Sequence, residues 1–126
     1  MFDHIDPRSP TPLYAQIAER VRLGIAAGEL RAGDPLPSVR QLAARLRVNP
    51  ATVVQAYRDL EQEGFVEMRQ GAGTFVRDVP AERRSRERAR QAVRLVRRLI
   101  ADAGRLGIPS HELAVAIEQE LGVRTS

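Results

Sequence analysis

The sequence of 126 residues contains no cysteine and no lysine. The absence of cysteine excludes disulfide bonds, thiol catalysis and thiolate zinc sites, and it agrees with a reducing compartment. The only histidines, His4 and His111, stand far apart, so the sequence predicts no metal site. No run reaches the roughly 18 to 20 apolar residues of a membrane span, and the N-terminus lacks the basic and apolar regions of a signal peptide. We therefore expect a cytoplasmic protein without a membrane segment.

All 20 basic residues are arginine, against 16 acidic residues, which gives a net charge of +4. Residues 1–79 are neutral overall, and the excess lies after Pro80. Within that neutral part, the segment 36–58 carries arginines but no acid, and acidic residues follow it directly. Such a local basic segment suits nucleic-acid phosphates, and arginine suits bidentate contacts with guanine. A codon bias in a GC-rich genome is the alternative explanation for the use of arginine alone.

The segment from Leu36 to Gly64 predicts two short helices joined by a tight turn. Ser38 is placed to cap the first helix. Asn49 is placed to cap the second, with Pro50 at its first position and Gly64 at its end. A connection of about three to four residues is typical of a helix-turn-helix, whose second helix enters the major groove of DNA.

A helix is predicted before this segment and a hairpin after it. The helix starts at Pro12 with Thr11 as its cap and ends at Gly28. The turn-rich segment 1–11 precedes it, and we expect this segment on the surface. The hairpin has strands 65–69 and 74–77 around a glycine-containing loop, and it is a candidate wing. The proline-rich stretch 29–37 is expected to supply a short strand that pairs with it.

The tail after Pro80 predicts two amphipathic helices, the second capped by Ser110. Their apolar stripes exceed what a hairpin of two helices buries on itself, so we expect a second subunit to cover the rest. Nine residues are predicted to form the dimer interface: Val93, Val96, Leu99, Ile100, Ala103, Leu106, Leu113, Ile117 and Leu121. The arginines at the start of the tail are interpreted either as a solvated helix start or as further phosphate contacts.

Four motifs occur in order along residues 12–76: PLYxQI, GxLxxGDxLPSVRxLA, VNPxTVxxAYxxLExEG and GxGTFV. Together they resemble the N-terminal winged helix-turn-helix of GntR-type bacterial transcription regulators, and the NP-T-V-AY form resembles the YtrA subfamily. The aminotransferase-fused MocR branch shares that form, but the roughly 47 residues after the wing are too few for its enzyme domain. The resemblance implies an α+β, mainly α fold, with a DNA-binding domain at residues 1–79 and a two-helix dimerisation tail at 80–126.

The resemblance also implies which residues contact DNA. They are Ser38, Arg40, Asn49, Pro50, Ala51, Thr52, Gln55, Tyr57, Arg58, Arg69, Gln70 and Gly71. For Tyr57 the alternative is packing under the helix-turn-helix, and for Arg58 a contact with the DNA backbone is expected. Two positions depart from the family pattern: Ala72 stands where a basic wing residue is common, and Val54 stands where some branches have arginine. Base recognition is therefore expected to depend mainly on Arg40 and Gln55.

The expected function is a dimeric repressor that binds double-stranded DNA at a palindromic operator, with a transporter operon as a target implied by the YtrA resemblance. The alternative is a winged helix that serves only as a protein-protein assembly module, which would show no steep salt dependence of DNA binding. No catalytic constellation is present, so neither an enzyme nor a cofactor is expected. Two helices per subunit cannot enclose a ligand pocket, so any effector would bind between subunits or on the DNA-binding domain.

Overall fold

The computed structural model describes residues 1–3 and 5–123, so His4 lies outside the described residues. It divides the chain into two compact units, Met1–Arg88 and Ala89–Ser126. The division lies later than the predicted boundary after residue 79, because the helix that follows the wing makes its first contacts with the first unit.

Three helices form the body of the first unit: α1 (Leu13–Ala26), α2 (Val39–Leu46) and α3 (Pro50–Gln62). Their fully buried side chains include Ile17, Val21, Ile25, Leu42, Val53, Tyr57 and Leu60. Burying an apolar side chain of this size contributes about 1.5 to 3 kcal/mol before the entropy cost is subtracted. These side chains, contributed by all three helices, form the core of the first unit.

Two of the predicted helix caps are wrong by one position. Helix α1 has Pro12 at its N-cap, so Thr11 lies too early for its hydroxyl to reach the first free N–H groups. Helix α5 has Pro109 at its N-cap, and Ser110 is its first residue. Neither of these two helices has a side-chain cap.

The segment before α1 contacts the core and α1 more closely than predicted. Phe2 is buried in the core. The Gln16 side chain donates to the carbonyl oxygens of Asp6 and Thr11, both at 2.8 Å, and its own oxygen accepts from the Asp6 N–H at 2.8 Å. These bonds fasten the described part of the segment to α1.

The strands β1 (Val66–Arg69) and β2 (Gly73–Val76) form an antiparallel hairpin in which Val66 lies opposite Val76. The predicted third strand is confirmed as a short bridge between Pro35 and Phe75. The Leu36 N–H donates to the Thr74 carbonyl at 2.8 Å, and the Val76 N–H donates to the Asp34 carbonyl at 2.9 Å.

Helix α4 (Ala81–Arg105) begins in the first unit and continues into the second, which also contains α5 (Ser110–Leu121). Gly107, with φ +74°, forms the turn between them, and the Ile108 N–H donates to the Ala103 carbonyl at 2.9 Å. In the described part of the chain, the fold is α+β and mainly α, with five helices and one two-stranded sheet, as predicted. None of the described helices is long and apolar enough to cross a membrane.

The predicted dimer residues are mostly exposed within one chain. Val93, Val96, Leu99, Ile100, Leu106 and Leu121 are between 41 and 75% exposed. Leu113 and Ile117 are half-buried. Ala103 is only 5% exposed, so the prediction that it contacts a second subunit is corrected: its side chain is already covered within the chain.

Candidate nucleic-acid interface

The turn between α2 and α3 consists of Arg47, Val48 and Asn49. Arg47 is the C-cap of α2 and has a left-handed backbone, with φ +57° and ψ +48°. Its N–H donates to the Ala44 carbonyl, and the Val48 N–H donates to the Ala43 carbonyl at 3.0 Å. A residue other than glycine in this conformation costs about 1 kcal/mol or more. The short turn places α3 directly after α2, as a helix-turn-helix requires.

The start of α2 carries the predicted cap and a predicted DNA contact. The Ser38 hydroxyl accepts from the Gln41 N–H at 3.0 Å, and the Gln41 side-chain oxygen accepts from the Ser38 N–H at 3.1 Å. This reciprocal capping box satisfies two N–H groups and fixes the first turn. Arg40 lies in that turn, and its side chain is exposed.

Helix α3 presents one face to solvent and buries the other. Ala51, Gln55 and Arg58, spaced by four and three residues, are exposed, and Thr52 is half-buried. At the N-terminus, the Asn49 oxygen accepts from the Ala51 N–H at 2.9 Å, which leaves the amide NH₂ of Asn49 as a donor. The exposed face therefore offers a guanidinium, two amides and a methyl group, all of which are groups that read base edges.

Tyr57 is a core residue, which corrects its predicted place among the DNA contacts. Its side chain is fully buried, and its hydroxyl donates to the Pro37 carbonyl at 2.7 Å. Burial raises the pKa of the Tyr57 hydroxyl above its ordinary value, so the group stays protonated as a donor. Tyr57 therefore joins α3 to the segment before α2 instead of facing DNA.

The wing, Val66–Val76, ends in an exposed tip formed by Gln70, Gly71 and Ala72. Gly71 has φ +78°, a conformation that favours glycine. The Arg69 guanidinium carbon lies 4.7 Å from the centre of the Phe75 ring, and a guanidinium nitrogen lies 3.2 Å from a Glu67 carboxylate oxygen. Arg69 is therefore held along the wing and is partly neutralised there.

A groove of about 540 Å³ separates the start of α2 from the wing. Ser38 and Val39 line one side, and Met68 to Thr74 line the other. The structure thus brings together four of the predicted contacts, namely Ser38, Arg69, Gln70 and Gly71. The other exposed predicted contacts lie on α2, on α3 and, for Asn49, in the turn between them.

Sequence reasoning missed the residues that hold α3 and the wing in place. The Glu61 carboxylate accepts from the Met68 N–H at 2.7 Å and so fastens β1 to α3. The Glu63 carboxylate accepts two hydrogen bonds from Arg22 of α1, at 3.0 and 2.5 Å. Burial lowers the pKa of Arg22, but the hydrogen bond and charge of Glu63, together with the charges of Glu87 and Glu19, raise it, and the net shift is upward. The sequence pattern shows only an acidic helix end.

The described residues include no group of three or more His, Asp or Glu side chains placed to hold a metal ion. Three packed helices with a short helix-turn-helix connection, followed by a two-stranded wing, define a winged helix-turn-helix domain. The family model of bacterial regulatory proteins of the gntR family matches residues 13–76, more than half of the chain. The chain belongs to the GntR family.

Named relatives agree with the expected YtrA resemblance. The HTH-type transcriptional repressor YtrA of Bacillus subtilis is 47% identical over 72 residues, which cover 57% of this chain and 55% of YtrA. The solved structure of YtrA from Sulfolobus acidocaldarius, a GntR-family transcription factor, is 40% identical, with a TM-score of 0.58, and covers 74% of this chain and 98% of that one.

A third match extends over most of the chain. The structure of a GntR family transcriptional regulator from Listeria monocytogenes is 30% identical, with a TM-score of 0.67, and covers 90% of this chain and 97% of that one. The chain spans about half the length of the curated relatives it matches. These proteins are named as transcriptional regulators rather than enzymes, in agreement with the predicted absence of catalysis.

Proposed function

We propose that this protein is a dimeric transcriptional repressor that binds an inverted-repeat operator in double-stranded DNA, with α3 in the major groove. The observation that carries the proposal is the exposed face of α3, where Ala51, Gln55 and Arg58 follow a capped N-terminus. In this arrangement, Gln55 pairs with adenine, Ala51 packs on a thymine methyl group, and the Asn49 amide donates to a phosphate or a base.

The distribution of charge supports DNA as the partner. Between Leu36 and Arg58 no acidic residue occurs, and the acids that follow include Glu61 and Glu63, which bind Met68 and Arg22 within the protein. Because these two carboxylates are matched internally, they oppose phosphate binding less than their number suggests. A winged helix used only for protein contacts would not need such a separation of charge.

The groove beside the wing supports a second contact region. Ser38 at the start of α2 and Gln70 and Gly71 at the wing tip line it, so a DNA strand beside the wing would meet residues of both the helix start and the wing. Arg69 contributes less than a free arginine because Phe75 and Glu67 hold it.

The dimer is proposed from the exposed apolar face of α4 and α5. Val96, Leu99 and Ile100 are 49, 41 and 52% exposed within one chain, and an apolar surface of this kind is stabilised by a second copy. A symmetric dimer presents two copies of α3 to half-sites about one helical turn, or a multiple of it, apart. We further propose that it acts in the cytoplasm and that a transporter operon is among its targets, by analogy with the YtrA subfamily.

Replacement of Arg40 by alanine tests the base contact. We expect Arg40→Ala to weaken operator binding by about 1 to 3 kcal/mol and to relax the preference at one base pair of each half-site. The measurement is binding to the operator and to its single-base variants. Arg8→Ala, which removes an equal charge from an exposed position before α1, is the control and should change neither quantity. Full operator binding with unchanged base preference in Arg40→Ala would contradict the contact.

A further inference from the structure

The turn of the helix-turn-helix contains a residue that its backbone conformation does not favour. Among the described residues, Arg47 is the only one other than glycine with a positive φ, at +57°. Glycine is the usual residue at such a left-handed position after a helix, because a Cβ atom there crowds the backbone. Arginine is thus not the residue that the turn itself favours.

The turn is held without the Arg47 side chain. The Val48 N–H donates to the Ala43 carbonyl at 3.0 Å, and the Arg47 N–H donates to the Ala44 carbonyl at 3.3 Å. Val48 packs partly buried against the core, and the Asn49 side chain caps α3. Backbone groups and neighbouring side chains therefore fix the turn, and the Arg47 guanidinium is available for another purpose.

Two arginines of α4 show what an arginine with a structural role looks like in this fold. Arg83 donates to the Glu63 carbonyl oxygen at the end of α3, and its guanidinium carbon lies 4.3 Å from the centre of the Phe65 ring. Arg88 donates to the Ala26 carbonyl at 2.9 Å, at the end of α1. The helix dipole and the free carbonyl groups favour cations at these ends. Arg83 and Arg88 thus have partners within the first unit, instead of belonging to a solvated helix start.

The arginines of the helix-turn-helix are not held in this way. In the part of the chain that the structure describes, no hydrogen bond or ion pair holds four exposed arginine side chains, namely Arg40, Arg45, Arg47 and Arg58. No acidic residue occurs between Leu36 and Arg58. This segment therefore presents positive charge that the protein itself does not neutralise, as a surface that binds phosphates requires.

Arg47 lies at the junction of the two helices that meet DNA. It is the C-cap of α2 and stands two residues before Asn49, the N-cap of α3. Its Cα atom therefore lies within about 7 Å of the Asn49 Cα atom. In a helix-turn-helix, the N-terminal residues of the second helix contact base edges, and the first helix crosses the DNA backbone. A guanidinium at this junction is placed beside the phosphates that flank the groove.

We propose that Arg47 is a further DNA-binding residue that contacts a backbone phosphate beside each recognition helix, a role that rests on the proposed function. The contact adds affinity for DNA of any sequence, because phosphates carry no base information. In this it differs from Arg40, which we expect to read a base. Glycine would suit the turn better than Arg47 does, but it offers no charge to a phosphate.

The test compares the wild type with Arg47→Gly on a duplex of random sequence over a range of salt concentrations. Loss of one phosphate contact is expected to make the slope of log affinity against log salt concentration shallower by about 0.9 for each bound subunit. At about 0.1 M salt, this corresponds to an affinity about 8-fold lower for each bound subunit. The ratio of operator affinity to random-duplex affinity should keep its wild-type value, because both kinds of DNA lose the same contact.

A thermal scan separates the loss of a contact from the loss of the fold. Glycine adopts a left-handed backbone without crowding, so the unfolding midpoint of Arg47→Gly should lie at or above the wild-type value. Weaker binding by a protein of undiminished stability is not what a merely structural role for Arg47 would produce. Should the midpoint fall, Arg47→Asn provides the same comparison, because asparagine tolerates this conformation and carries no charge.

Two further variants test the chemistry of the contact. Arg47→Lys keeps a positive charge that binds phosphate as a point charge, so its salt slope should match that of the wild type. Arg8→Gly removes the same charge from an exposed position before α1, and it should leave the salt slope unchanged.

A wild-type salt slope in Arg47→Gly would overturn the phosphate contact alone, and so would a changed base preference on single-base variants of the operator. A wild-type protein that binds neither the operator nor the random duplex would overturn the proposed function, and the phosphate contact with it.

Discussion

Leu99→Asp is expected to convert the proposed dimer into monomers and to weaken operator binding by about 100-fold or more. Leu99 is 41% exposed within one chain and lies among the apolar residues of α4. A carboxylate there would have to be buried without a partner in the dimer, which is strongly unfavourable. Because the side chain is not in the core, the single chain is expected to keep its fold. Analytical ultracentrifugation measures the mass, and a mobility shift measures operator binding.

The control for Leu99→Asp is Gln119→Asp, which adds the same charge at an exposed position of α5 outside the predicted dimer residues. It should remain a dimer and bind the operator as the wild type does. A Leu99→Asp protein that sediments as a dimer would show that another surface joins the subunits.

Tyr57→Ala is expected to lower the free energy of unfolding by about 3 to 5 kcal/mol, as is usual for removing a fully buried aromatic ring. Tyr57→Phe keeps the ring and loses only the bond to the Pro37 carbonyl, at a cost of about 0.5 to 1.5 kcal/mol. Denaturant unfolding measures both. The folded Tyr57→Phe protein should keep the operator affinity and base preference of the wild type, and a changed base preference would contradict the assignment of Tyr57 to the core.

The difference in stability between the wild type and Tyr57→Phe is also expected to depend on pH. Since burial raises the pKa of Tyr57 in the folded state, the folded chain holds its proton at a pH where the unfolded chain has released it. The stability that the Tyr57 hydroxyl contributes is fully present below its unfolded-state pKa of about 10. It is lost as the pH rises through the folded-state pKa. The difference in stability between wild type and Tyr57→Phe should therefore shrink, and then reverse, above pH 10.

Local chemistry made much of the fold predictable. Ser38 and Asn49 cap their helices as expected, because a capping side chain bonds to N–H groups two or three residues away. The wing hairpin also follows from neighbouring residues, whereas its bridge to Pro35 joins residues far apart in the sequence. Thr11 and Ser110 were predicted to be N-caps, but in each case the neighbouring proline occupies the N-cap position.

The parts that sequence could not predict depend on tertiary contacts. Arg83 stands in a run of arginines, and nothing in that run indicates which side chain meets Phe65. The bond from Glu61 to β1 also joins residues that no periodicity relates. Tyr57 has an amphipathic side chain, so its place on α3 alone did not decide between core and DNA.

Sequencing DNA fragments that the purified protein selects from a random pool tests whether it binds DNA sequence-specifically as a two-fold dimer. We expect enrichment of an inverted repeat, with half-site centres about one helical turn or a multiple of it apart and each half-site contacted by one copy of α3. Enrichment of a single unrepeated site, or of no sequence at all, would contradict a two-fold, sequence-specific DNA-binding protein.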